Sequence, residues 1–227
     1  MIAKAIRSKL ANLNNSGTTS HKIYDKLVFG KFRALFGGNV RVMLTGSAPI
    51  SQDVLNYLKV CFCCPILEGY GMTESCGGSC LSIIGDPKAG HVGGPIANVK
   101  IRLRDIPEMG YVATGNPPKG EICIKGSSVM TGYFMSDEKT KEAFDKDGWL
   151  LSGDVGVIHP NGSIQIIDRA KNIFKLSQGE YIAPEKLENA YVRSPWIMQP
   201  WIYGDSLRDF IILIAVVDPA KVKTFAE

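Results

Sequence analysis

The feature that most constrains this chain is a glycine-framed tyrosine placed directly after a short apolar run. Pro65-Ile66-Leu67 reads as a buried strand, and Glu68-Gly69-Tyr70-Gly71-Met72-Thr73-Glu74-Ser75 follows without a break. Gly69 and Gly71 let backbone approach a flat ligand closely, and the Tyr70 ring offers a face for an adenine to stack on. Thr73 supplies a hydroxyl that can bond a phosphoryl oxygen. Glu74 supplies a carboxylate that can share Mg²⁺ with phosphates. A stretch of this kind at the C-terminal edge of a strand lies where open α/β sheets bind ligands. On spacing alone it reads equally well as a glycine-rich turn with a solvated glutamate.

Upstream, Ile2, Ile6, Leu10 and Leu13 share one helical face, and residues 14–20 form the loop that ends the helix. A second amphipathic helix is expected through Ile23, Leu27, Val28 and Phe32, stopping near Gly37-Gly38. Residues 40–45 read as a strand, followed by the turn Gly46-Ser47-Ala48-Pro49. Ser51 then caps a helix carrying Val54, Leu55 and Leu58. The result is a strand–helix–strand unit with two small-residue turns at neighbouring strand ends.

From about Gly85 the texture changes. Short strands at 99–104, 121–125, 154–159 and 163–168, with Pro160-Asn161-Gly162 as a hairpin turn, predict a small antiparallel barrel or sandwich. Beyond Arg169 come a strand at 172–176, a turn at Gln178-Gly179 and a helix with Pro184 in its first turn. That helix is expected to bury Leu187, Ala190 and Tyr191. Two strands follow, one around Trp201 and one at 210–217 read as buried. The organisation is thus an α/β portion over 1–84, a β-rich portion over 85–169, and a last portion over 170–227, with the boundary at 168–172.

The chain has 227 residues, enough for one large domain or one and a half ordinary ones. A net charge of +4 without a dense basic block does not suggest nucleic acid as a partner. The longest apolar run, 210–217, is far shorter than the ~20 residues a spanning helix needs. The N-terminus lacks the apolar region of a signal peptide. Membrane association is therefore expected only through segments outside this sequence. The six cysteines do not show paired C-x-x-C spacing, and His21, His91 and His159 lie far from them in sequence. They read as buried reduced thiols, with zinc the lesser reading, and place the chain in a reducing, intracellular compartment.

Three later blocks sharpen the reading. Asp147-Gly148-Trp149-Leu150-Leu151-Ser152-Gly153-Asp154, Ile166-Ile167-Asp168-Arg169 and Lys175-Leu176-Ser177-Gln178-Gly179-Glu180-Tyr181 resemble the long-chain fatty acyl-CoA synthetases of the adenylate-forming superfamily. Gly46-Ser47-Ala48-Pro49 and Gly69-Tyr70-Gly71-Met72-Thr73-Glu74 match two further blocks, in the same order, so the resemblance spans essentially the whole chain. It implies an α/β fold: the later part of a large N-terminal domain, with an α/β sheet portion and a distorted antiparallel β-barrel, then the start of a small mobile α+β C-terminal domain. It also implies a two-step reaction. ATP and a fatty acid give an acyl-adenylate and pyrophosphate, and coenzyme A then gives the thioester and AMP. Fatty acid, ATP/AMP and coenzyme A are the implied partners, Mg²⁺ the cofactor, and the cytoplasm or the cytoplasmic face of a membrane the location.

The resemblance also assigns roles. Gly46, Ser47, Ala48, Gly69, Tyr70 and Gly71 would line the adenine, and Ile166 would join them in the nucleotide pocket. Thr73 would contact the α-phosphate and Glu74 would hold Mg²⁺. Asp154 and Arg169 would bind the ribose hydroxyls, Lys171 would be the hinge, and Lys175 would serve the thioester-forming conformation. Taken singly, Asp154 also reads as a turn cap, Arg169 as an ion-pair partner and Lys175 as a solvated strand lysine. Two departures stand out. Ser16-Gly17-Thr18-Thr19 is followed by Ser20-His21-Lys22 and does not make the family's phosphate loop; the chain also stops at Glu227, before the family's C-terminal lysine. The expectation is a fragment inactive on its own. The rival readings are an adenylating enzyme of luciferase or peptide-synthetase type, and a non-catalytic nucleotide-binding protein if the chain is complete.

Overall fold

The computed structural model describes residues 1–226. Contacts group the chain into two compact units. The first comprises Met1–Ile101, Ile124–Leu150 and Ile158–Gln165. The second comprises Arg102–Cys123, Leu151–Val157 and the chain from Ile166 onward.

The first unit opens with helix α1, Ile2–Ser16, closed by Gly17 in the left-handed region at φ 69° with its N–H bonded to Leu13 O. Its buried stripe is Ala5, Lys9 and Leu13, flanked by partly buried Ile6 and Leu10. Ile2, expected on that face, is 53% exposed. The second expected helix is two short ones, α2 (Tyr24–Leu27) and α3 (Phe29–Ala34), broken at Val28. Ile23 and Leu27 point to solvent, while Val28 and Phe29 are buried. Helix α4, Gln52–Phe62, is capped as the sequence indicates: the Ser51 hydroxyl accepts from Val54 N at 3.3 Å. Ala5, Leu13, Val28, Phe29, Val60 and Cys61 make one core among these helices.

Strands β1 (Met43–Thr45) and β2 (Ile66–Met72) are parallel and joined through α4, with Thr45 opposite Glu68. β3 (Gly77–Leu81) returns antiparallel to β2, and β4 (Gly94–Pro95) adds to β3, giving the order β1-β2-β3-β4.

A second sheet follows the order β5-β6-β7-β8, built from β5 (Val99–Arg104), β6 (Lys119–Gly126), β7 (Leu150–Ile158) and β8 (Ile164–Arg169). Between β6 and β7 lies helix α5, Asp137–Ala143. The predicted hairpin turn joins β7 to β8: His159 N bonds Ser163 O at 2.9 Å, and Gly162 sits at φ 81°. The sequence predicts a small antiparallel barrel or sandwich, and the resemblance a distorted barrel; among the described residues these four strands form one sheet that does not close on itself.

From Phe174 onward the second unit contains a hairpin of β9 (Phe174–Lys175) and β10 (Tyr181–Ile182), helix α6 (Pro184–Tyr191), the antiparallel pair β11 (Ile197–Gly204) and β12 (Ile211–Val217), and helix α7 (Pro219–Ala226). Ile106, Val155 and Ile173 form its core, with Tyr111, Ile167, Ala170 and Tyr181 packed against them. Two burial expectations fail here. Ile212, Ile214 and Val216 of β12 are about half exposed, because a two-stranded sheet covered on one face leaves alternate side chains in water. On α6, Leu187 is half-buried, but Ala190 and Tyr191 are exposed.

Candidate functional site

The glycine-framed tyrosine lies inside β2 and not in a turn beyond it, since the strand continues to Met72. Its register against β3 shifts between Tyr70 and Gly71. The glycines have a structural cause there. A Cβ on Gly71 would fall on the carbonyl oxygen of Gly77, which is backbone and cannot yield. A Cβ on Gly69 would meet Leu81 Cδ1 at 3.3 Å and Cys80 O at 3.4 Å. The segment after β1 stands alongside: a Cβ on Gly46 would lie 3.0 Å from Gly69 O. This neighbourhood follows from the parallel register that sets Thr45 opposite Glu68. Gly46, Ser47 and Ala48 are exposed, and Ser47 holds φ 67°, a conformation that non-glycine residues adopt at a cost.

A tight turn, Thr73–Ser75, carries the next two candidates. Ser75 is fully buried and ties the turn down: its hydroxyl accepts from Met72 N at 3.2 Å and from the Ser79 hydroxyl at 2.8 Å, and donates to Met72 O at 3.0 Å. Thr73 is left exposed and Glu74 half-buried. The Tyr133 hydroxyl donates to Glu74 Oε1 at 2.6 Å, and Met130 N bonds Glu74 O at 2.8 Å. Tyr133 is itself placed by the start of α5, where its N–H bonds the Thr140 hydroxyl at 2.9 Å. The first unit therefore brings together the Gly46–Ala48 turn, the Gly69–Gly71 strand and the Thr73-Glu74 turn.

Beneath this edge, Glu68 is 9% exposed and its Oε2 has no hydrogen-bond partner. Burial pushes its carboxyl up to about 7, against the opposing pull of Lys59. Lys59, also buried, is lowered by its own desolvation.

The second unit holds the remaining candidates. Asp154 is buried at the middle of β7, where its N–H bonds the Ser152 hydroxyl at 3.0 Å. Glu121, paired with Arg104, accepts from Gly153 N at 3.0 Å. Arg169 Nε lies 3.4 Å from Asp154 Oδ1, with the arginine side chain 72% exposed. Ile166 lies on β8 and is half-buried. Asp168 is 1% exposed and fixes the end of β8: Oδ1 accepts from Arg169 N at 2.7 Å, and Oδ2 accepts from Glu185 N at 3.1 Å in the first turn of α6. Lys171 is exposed in the turn beyond, where Asn172 N bonds Arg169 O at 2.9 Å. Lys175 on β9 sits with Nζ 5.3 Å from the centre of the Tyr181 ring.

The sequence reading missed Tyr133, Ser75, Asp168 and Glu68 as supports of these groups. Only Asp168 carried a signal, as a carboxylate next to Arg169 and before a proline-started helix.

Residues 7–134 match the family model of AMP-binding enzymes. The chain belongs to the AMP-binding enzyme family. The matched span contains the Gly46–Ala48 turn, the Tyr70 strand, Glu74 and Tyr133. This AMP-binding chain is 48% identical to mouse long-chain-fatty-acid–CoA ligase 5 over 222 residues, 98% of the chain and 32% of that ligase. It is 46% identical to human long-chain-fatty-acid–CoA ligase 1 over 223 residues, again 98% of the chain and 32% of the relative. It spans about a third of the length of these curated relatives. Among solved structures, the A domain of carboxylic acid reductase from Segniliparus rugosus, in complex with AMP and a co-purified carboxylic acid, superposes with a TM-score of 0.75. The identity is 32%, covering 97% of this chain and 34% of that one.

Proposed function

We propose that the protein carrying this chain activates a long-chain fatty acid with ATP and passes the acyl group to coenzyme A. The observation that carries the reading is near-half identity, along almost the entire chain, to ligases named for that reaction. Likeness to an adenylation domain holding AMP supports the nucleotide part.

In this reading the Tyr70 ring lies along the adenine, framed by Gly69, Gly71 and the turn Gly46–Ala48. Ile166 adds an apolar surface. The Asp154 carboxylate accepts from the ribose hydroxyls, as an ionised carboxylate is suited to do. Arg169, held beside it, adds donors to the same sugar. Thr73 donates to an α-phosphate oxygen. Glu74 supplies one carboxylate with its orientation set by Tyr133. Among the described residues no three His, Cys, Asp or Glu side chains are grouped to hold a metal alone. A single carboxylate fits Mg²⁺ shared with nucleotide phosphates, which is how this ion is usually bound. Bound there, Mg²⁺ would neutralise charge at the transferring phosphoryl group.

The fatty-acid carboxylate attacks the α-phosphorus and pyrophosphate leaves. The coenzyme A thiol then attacks the acyl carbonyl and AMP leaves. No side-chain nucleophile is required, so the residues act by positioning and by holding charge. Lys171 is the swivel between the two steps, and Lys175 is the group brought in for the second. The six cysteines are free thiols, which supports a reducing, intracellular location. Among the described residues no helix is long and apolar enough to cross a membrane.

The test is ATP–pyrophosphate exchange by the full-length protein with a panel of carboxylic acids. Exchange that depends on long-chain fatty acids is expected. Exchange supported only by amino acids or aryl acids would assign the chain to another branch of the family.

A further inference from the structure

A second cluster of reactive side chains lies among the helices of the first unit, apart from the residues given roles above. Lys9 on α1 is fully buried, with its Nζ 2.5 Å from Asp25 Oδ1 on α2 and 3.0 Å from Cys63 Sγ at the end of α4. The Cys63 thiol lies 3.4 Å from the same Asp25 oxygen. Asp25 is held in place by His21 N, which donates to Oδ2 at 2.7 Å. The Phe29 ring closes the other side, 4.5 Å from Nζ. Cys63 is half-buried, whereas its neighbours Cys61 and Cys64 are buried. It also sits at φ 55°, in the left-handed region where glycine is the usual occupant. Tight packing here thus sets an amine, a carboxylate and a partly accessible thiol within contact of one another.

We propose that Lys9 and Cys63 form a reversible sulfenamide crosslink when the protein meets a hydroperoxide. In the first step the Cys63 sulfur attacks the peroxide. An S–O bond forms, the O–O bond breaks, and water or an alcohol leaves, so that sulfur is oxidised by two electrons and the peroxide reduced by two. Asp25 then takes a proton from the Lys9 ammonium through the bond already in place. The neutral amine attacks the sulfenic sulfur: an S–N bond forms, the S–O bond breaks, and the hydroxyl departs as water with the second amine proton. Backbone nitrogen is known to trap sulfenic acids in this way. A side-chain amine at contact distance replaces it here without any shift of the chain. Burial raises the Cys63 thiol and Asp25 adds to the rise, while the hydrogen bond and charge of Lys9 oppose it. A thiol reductant attacks the sulfur, releases the amine and restores both side chains.

The test treats this chain with hydrogen peroxide, blocks remaining thiols, digests it with trypsin without reductant and maps the peptides by mass spectrometry. The expected product joins the Lys9 peptide to the Cys63 peptide, at the summed mass less two hydrogens. Trypsin cleavage at Lys9 should be lost, then return after reduction. Cys63→Ser should abolish the product. Lys9→Arg should abolish it too, since a guanidinium keeps the charge beside Asp25 but is not deprotonated. Should either variant fold poorly, Cys63→Gly suits the left-handed backbone and must also lack the product. Exposed Cys76 reports in every sample that peroxide reached the protein. With Cys76 oxidised, three outcomes overturn the proposal: an unmodified Cys63, a Cys63 sulfinic acid with normal cleavage at Lys9, or a disulfide from Cys63 to Cys61 or Cys64.

Discussion

Glu68 and Glu74 sit close together in sequence and do opposite work. Glu74 leaves the strand on a turn pinned by Ser75 and keeps a carboxylate at the surface, where Tyr133 orients it. If it shares Mg²⁺ with the nucleotide, Glu74→Ala in the full-length protein removes charge stabilisation at the transferring phosphoryl group. Pyrophosphate exchange should fall by about two orders of magnitude or more, equivalent to roughly 3 kcal/mol or more. Tyr133→Phe removes only the orienting hydrogen bond, so its loss should be about tenfold or less. A Tyr133 effect equal to that of Glu74 would contradict the division of roles. Glu68 points the other way, into the unit. Its carboxyl rises from 4.5 to about 7 on burial. The folded chain therefore keeps a proton that the unfolded chain has released, and stability falls as pH rises through that window. Glu68→Gln cannot ionise. In thermal melts between about pH 5 and about pH 8, the variant should gain on the native chain by up to about 3 kcal/mol. Parallel curves for the two proteins would refute this. None of this was legible in sequence, where both residues are glutamates flanking one motif; only the strand direction and the facing helix separate them.

At the scale of elements, what was legible was local. The Ser51 cap and the Pro160-Asn161-Gly162 hairpin were read correctly because cap and turn chemistry act within a few residues. Ser51→Ala should cost about 1 kcal/mol in urea unfolding, with little change in slope. Burial was less legible, because it depends on partners remote in sequence. The continuous apolar run of β12 looks like a buried strand until its sheet is found to have two members. The break between α2 and α3 falls at Val28, a residue that fits either side of a helix pattern. The motif glycines carry a mixed message. Their spacing suggested close approach of a ligand, yet Gly71 is already required by the carbonyl of Gly77. Gly71→Ala should therefore destabilise the first unit itself, by about 3 kcal/mol or more, with or without nucleotide. A variant of normal stability that had lost only nucleotide binding would show that the ligand and not the sheet demands glycine.

At the scale of the whole molecule, the proposal requires one adenylate site served by different groups in turn. The Arg169–Ile173 turn carries Lys171 between Arg169, paired with Asp154, and Lys175. Proline at 171 would lock its φ and restrict Ala170, whose N–H bonds Gly153 O at 2.8 Å. Lys171→Pro in the full-length enzyme should spare adenylation and cripple thioester formation from preformed acyl-adenylate; equal loss of both would argue against a hinge there. We propose that the protein carrying this chain is a long-chain acyl-CoA ligase in which this chain holds the nucleotide. The most direct test is substitution into a relative. The chain should replace its matching segment in mouse long-chain-fatty-acid–CoA ligase 5, with which it aligns over 222 residues. The measurement is fatty-acid-dependent ATP–pyrophosphate exchange by the purified hybrid. The account predicts exchange above background with long-chain acids, abolished by Glu74→Ala in the inserted chain. A folded hybrid without exchange, or one indifferent to Glu74, would contradict it.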